Sequence, residues 1–92
     1  MNFQVILSDE LKKKLTNLKR KDKTAYNAVK KKIIQITSSD KSTIQRFKNL
    51  RHPMSELKRV HIGSFVLIFR LKNNTIIFEE FEHHDKVYKK KL

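Results

Sequence analysis

The chain has 92 residues, with 22 Lys and Arg against 9 Asp and Glu for a formal net charge of +13, no cysteine and a single glycine. That length suits one core, residues 1–92 as a single domain, and excludes two. The missing cysteines exclude disulfides and thiolate chemistry, and one glycine is too few for a P-loop, a dinucleotide fingerprint or a nucleophile elbow.

A charge this large points to a polyanionic partner. Nucleic acid comes first, because neutralising phosphates releases condensed counterions, and a membrane surface second; solvated lysine-rich helix faces are the bland alternative. No apolar run approaches the roughly 20 residues of a spanning helix. The opening Met1-Asn2-Phe3-Gln4-Val5-Ile6-Leu7 lacks a basic leader, a longer apolar stretch and a cleavage site. The expectation is a soluble cytoplasmic protein with no membrane partner.

Residues 2 to 7 alternate Phe3, Val5 and Leu7 on one side and read as a strand. Ser8 then supplies an N-cap, with Asp9 and Glu10 in the first turn to complement the helix dipole. Leu11, Leu15 and Leu18 form one narrow apolar stripe on a lysine-covered helix. After the break at 19 to 24, a second helix carries Ala25, Val29, Ile33 and Ile36 on one face, giving a helical hairpin. The blocks Lys12-Lys13-Lys14 and Lys30-Lys31-Lys32 read as wet helix faces that also add to attraction for RNA.

From Thr37 to Ser42 the composition predicts a helix exit and loop. Residues 43 to 56 read as a connector with one helical turn, in which Pro53 forbids a central strand. Three strands follow at about 57–62, 65–72 and 75–82. Gly63 makes the first turn and Asn73-Asn74 the second, so the sheet is an antiparallel meander. Phe65, Leu67, Phe69 and Leu71 form the row that meets the helices, with Val66, Ile68 and Arg70 on a partly polar, available face. Alternation fails at Thr75-Ile76-Ile77-Phe78-Glu79-Glu80, and either register leaves acids exposed. Those acids either bind lysines, aim a histidine or form a solvated edge.

Cleavage of RNA by internal attack needs a base for the 2′ hydroxyl, an acid for the departing 5′ oxygen and cations for the phosphate. Histidine is the usual acid or base near neutral pH, and Arg grips a phosphate with parallel donors. Arg59, His61, His84 and Tyr88 offer these catalytic roles, with Lys58, Arg70 and Lys86 as further RNA-binding cations. The i, i+4 spacing of His84 and Tyr88 puts both on one side of a helical turn. His83-His84-Asp85 is a poor metal site, because adjacent residues on a strand diverge and no spaced second histidine pair completes a set. No cofactor is expected.

Strand, two helices and a meander, with Arg59-Val60-His61-Ile62-Gly63-Ser64-Phe65-Val66-Leu67-Ile68-Phe69 followed by His83-His84-Asp85-Lys86-Val87-Tyr88, resembles RelE toxins of the RelE/ParE superfamily. The resemblance spans essentially the whole domain. It implies an α+β fold of the microbial-ribonuclease-like kind, an N-terminal strand and two-helix hairpin followed by the three-strand meander packed on the helices. It also implies a ribosome-dependent, metal-free mRNA endonuclease held in a hetero-oligomer by an acidic RelB-like antitoxin, with ribosome and mRNA as its other partners. Arg59 looks like the basic residue that contacts the cleaved phosphate, and Tyr88 like the family's C-terminal active-site tyrosine.

Three positions depart from the pattern: His61 and His84 stand where Arg is usual, and Val66 where a catalytic Arg often sits. One lost donor is worth roughly 3 kcal/mol of transition-state stabilisation, and Arg70 lies about 13 Å along the strand from Val66 at ~3.3 Å per residue. The expectation is that imidazole takes over, with His84 or His61 as general base or acid. A ParE-like topoisomerase inhibitor and a non-catalytic RNA-binding domain are the alternatives; exposed sheet aromatics for base stacking would favour the latter.

Overall fold

Residues 3–49 and 56–87 are described in the computed structural model of the chain. Their elements are β1 (Gln4–Leu7), α1 (Asp9–Lys21), α2 (Lys23–Thr37), α3 (Lys41–Gln45), β2 (Lys58–Ile62), β3 (Phe65–Lys72), β4 (Thr75–His83) and α4 (His84–Val87). The expected strand, helical hairpin and meander are all present. The sheet runs β1-β4-β3-β2, with β1 parallel to β4 and the other pairs antiparallel. Periodicity gave no sign of the β1–β4 pairing, which joins residues some 70 positions apart.

Local chemistry sets the helix ends. The Ser8 hydroxyl accepts from the Leu11 amide at 3.1 Å and donates to the Glu79 carbonyl at 2.7 Å, so the cap of α1 also ties it to β4. Asp22 closes α1 through its amide to the Leu18 carbonyl at 2.8 Å and opens α2 by accepting from Ala25 at 3.1 Å. One residue therefore serves both helices. Gly63 and Asn73 begin the two-residue hairpin turns with φ of 60° and 56°, the left-handed conformation that these residues tolerate best.

The segment read as a loop from Thr37 to Ser42 and a connector from 43 is different. Here α3 begins at Lys41, because the Asp40 carboxylate accepts from the Thr43 amide at 2.8 Å and caps a helix within the Ser/Thr/Asp run. Ile44 of α3 is buried, and Phe47 meets Phe69 edge-on at 5.4 Å between ring centroids. The chain then runs along the outer edge of β2, where the Lys48 carbonyl accepts from Arg59 at 2.9 Å and Asn49 bridges to Lys58. Pro53 lies outside the described residues.

The core joins Leu11 of α1, Val29 and Ile36 of α2 and Ile44 of α3 to Leu67, Phe69, Ile76, Phe78 and Phe81 of the sheet, with Leu15, Leu18 and Ile33 packed against it. A bulge explains why alternation failed in β4. Ile68 faces Glu80 while Phe69 faces Phe78, which leaves Glu79 as the extra residue. Phe78 and Phe81, three apart, thus both reach the helix side.

Two expectations are corrected on the opposite face. Val66 and Ile68 are buried, forming a small second cluster with Leu57, so this face is not simply open. β3 is an inner strand, and its short apolar side chains lie between longer charged ones on β2 and β4. Nor does the register leave the acids exposed: the Glu80 and Glu82 side chains are only 14% and 18% accessible, because both are held in ion pairs.

Candidate functional site

Arg59 and His61 lie two residues apart on β2 and so project to one side of the sheet. Strand register extends them into two rows across the face, Arg59 to Ile68 to Glu80 and His61 to Val66 to Glu82. His84, the first residue of α4, is anchored by its amide donating to the Ser64 carbonyl at 2.9 Å. That bond folds the start of α4 over the β2–β3 turn and brings the His84 ring to 5.8 Å from His61, centroid to centroid. Both imidazoles are exposed, and Arg59 is half-buried.

Asp85 sits between the adjacent histidines. Its Oδ1 is 3.3 Å from His84 Nδ1, its Oδ2 is 3.8 Å from His83 Nδ1, and its amide donates to His83 Nδ1 at 3.2 Å. His83 turns the other way, edge-on to Phe65 at 5.7 Å. Among the described residues no group of three or more His, Cys, Asp or Glu is arranged to hold a metal ion.

The remaining cations scatter. Lys58 projects to the other side of β2, where its ammonium donates to the carbonyls of Gln45 and Phe47 at 3.2 and 3.3 Å and to Asn49 Oδ1 at 3.0 Å. It pins the end of α3 to the sheet. Arg70 is placed beside acids: Nε lies 2.9 Å from Glu79 Oε2, an ion-pair contact outside hydrogen-bond geometry, and Nη1 lies 3.8 Å from Glu56. Lys86 is exposed on α4. Tyr88 lies outside the described residues.

Sequence reasoning missed the group that organises the far side of this face. Lys14 of α1 donates to Glu80 Oε1 at 2.6 Å, Glu82 Oε2 at 2.8 Å and the Phe81 carbonyl at 3.3 Å. Its ammonium thereby also covers the edge of β4 beyond the last residue paired with β1, Phe78. Burial alone would lower the Lys14 pKa, but the Glu80 and Glu82 carboxylates outweigh it and hold the group above its ordinary value. Only the i, i+4 spacing of Glu10 and Lys14, 3.8 Å apart here, hinted at any ionic role.

No protein-family model matches the chain. A protein of Methanocaldococcus jannaschii named "Putative toxin RelE4" is 42% identical over 92 residues, an alignment covering 97% of this chain and 94% of that protein. The chain belongs to the RelE toxin family. As a RelE-like protein it is the toxin of a toxin–antitoxin system. An uncharacterized protein of Methanosarcina mazei is 35% identical over 85 residues, covering 89% of this chain and 94% of that one.

Solved structures agree with the RelE-like fold at much lower identity. YafQ from Escherichia coli superposes with a TM-score of 0.63 at 13% identity, covering 95% of this chain and 99% of that one. A chain of the RelBE2 toxin–antitoxin complex from Mycobacterium tuberculosis gives 0.61 at 14% identity, covering 91% and 100%. A Helicobacter pylori protein solved in solution gives 0.64 at 17% identity, covering 90% and 96%.

Proposed function

We propose that this RelE-like toxin is a ribosome-dependent mRNA endonuclease that cleaves by attack of the 2′ hydroxyl on the adjacent phosphate. The observation that carries the reading is the apposition of His61 and His84, 5.8 Å apart, on the side of β2 that also bears Arg59. A general acid or base must come within about 3 Å of the oxygen it serves. Two accessible imidazoles at this spacing can approach the attacking and departing oxygens of one phosphodiester from the same side.

In this scheme one imidazole takes the proton of the 2′ hydroxyl and the other gives a proton to the 5′ oxygen as the P–O bond breaks, leaving a cyclic phosphate. Arg59 holds the non-bridging oxygens through charge-assisted hydrogen bonds. Asp85, 3.3 Å from His84 Nδ1, orients that ring and favours its protonated form. His84 is therefore assigned as the acid and His61 as the base. Tyr88 assists proton transfer or stacks on a base, and Lys86, with Lys58 and Arg70, adds to RNA attraction.

The antitoxin partner is proposed to be acidic, to match a charge of +13. The RelBE2 complex shows a homologous fold assembled with such a partner class. A topoisomerase-inhibiting toxin is the second reading, favoured by one observation: Val66, at a position the family pattern often gives to arginine, is fully buried and supplies no cation. Primer extension on mRNA after brief expression separates the two. Cuts within translated codons support the endonuclease, whereas intact message with altered plasmid supercoiling supports the alternative.

A further inference from the structure

The rows that start at Arg59 and His61 end at Glu80 and Glu82, two strands away. Two inter-strand spacings place those acids about 10 Å from the cations at the backbone, within about one Debye length at 0.1 M salt. Two carboxylates that close would oppose an approaching phosphate. In the structure neither stands alone, because Lys14 reaches around the edge of β4 and bonds to both at 2.6 and 2.8 Å.

We propose that Lys14 is a positioning residue for RNA on this face: by binding Glu80 and Glu82 together at the sheet edge, it halves their negative charge and turns it away from the phosphate held by Arg59 and His61. The inference rests on the endonuclease reading for its biological purpose and on the strand register for its geometry. Lys14 itself touches no reacting atom. It differs from the exposed Lys12 and Lys13 beside it, which face solvent and add only to general attraction.

Its consequences separate from those of a simple strut. Lys14→Ala leaves two uncompensated carboxylates, and Lys14→Ala with Glu80→Gln and Glu82→Gln leaves none. The expected result is that Lys14→Ala binds a short single-stranded RNA about five- to tenfold more weakly at low salt, where charges at this range act through poorly screened solvent. High salt shrinks the difference, Lys14→Arg retains binding, and the triple variant recovers it. Glu80→Gln with Glu82→Gln and Lys14 intact, which removes charge without removing the lysine's backbone contact, binds RNA more tightly than the native chain.

A second readout needs no RNA. The groups facing His61 are Arg59 on its own strand, Glu82 across β3, and His84 with Asp85 on α4. NMR titration of His61 in Lys14→Ala should rise by about half a unit as the freed carboxylates favour imidazolium, and return in the triple variant. Lost RNA binding with no recovery in the triple variant and an unmoved His61 titration would overturn the proposal and leave Lys14 as a strut. A moved titration in a protein that cuts no mRNA would instead overturn the endonuclease reading while this one stands.

Discussion

On the helix-covered side of the sheet, Leu67, Phe69, Ile76, Phe78 and Phe81 are buried by apolar packing against three helices. On the opposite side, Val66 and Ile68 lie between Arg59 and His61 on one strand and Glu80 and Glu82 on another. The first surface is held by non-directional burial that scales with apolar area. The second depends on paired charges whose value is set by distance and screening. Stability should therefore answer to the covered face, and RNA chemistry to the charged one.

The largest loss of stability is expected from Phe69→Ala, which empties a fully buried ring that contacts Phe47 and Phe78. A cost of about 3–5 kcal/mol is the usual range for such a truncation. Denaturant unfolding measures it; a loss below about 1 kcal/mol would mean the covered face is not the source of stability. Ser8→Ala comes next, removing both the cap of α1 and the bond to the Glu79 carbonyl. About 1–2 kcal/mol is expected in the same measurement, and no change would detach α1 from the account.

A smaller, pH-dependent effect belongs to the charged face. Lys14 has its pKa raised above the ordinary 10.5 in the folded chain. Its contribution is therefore full below that value and is lost as pH rises through the folded pKa. Melting temperature of the native chain should fall in alkali more steeply than that of Lys14→Ala. Parallel curves would remove the ion pairs from the comparison.

How legible each face was in the sequence follows from the same contrast. The row Phe65, Leu67, Phe69 and Leu71, the cap at Ser8 and the turns at Gly63 and Asn73 are short-range patterns, and the structure contains all of them. The bulge at Glu79 was visible only as a failure of alternation, since its cause is the need to place both Phe78 and Phe81 in the core. The grouping of His61 with His84 was anticipated from chemistry, while its geometry depends on a bond from residue 84 to residue 64. Lys14 was hidden altogether. Nothing within a few residues of it points to acids 66 and 68 positions away. Likewise, Lys58 read as an RNA contact because a sequence shows its charge and conceals the carbonyls of Gln45 and Phe47 that it meets.

The most direct test of the charged face is single-turnover cleavage of ribosome-bound mRNA by the native chain, His61→Ala and His84→Ala, each with its unfolding curve. The account predicts cutting by the native chain, at least about 100-fold slower cutting by either variant, as expected for loss of a general acid or base, and unchanged unfolding curves. Undiminished cutting by both histidine variants, with the fold intact, would contradict it.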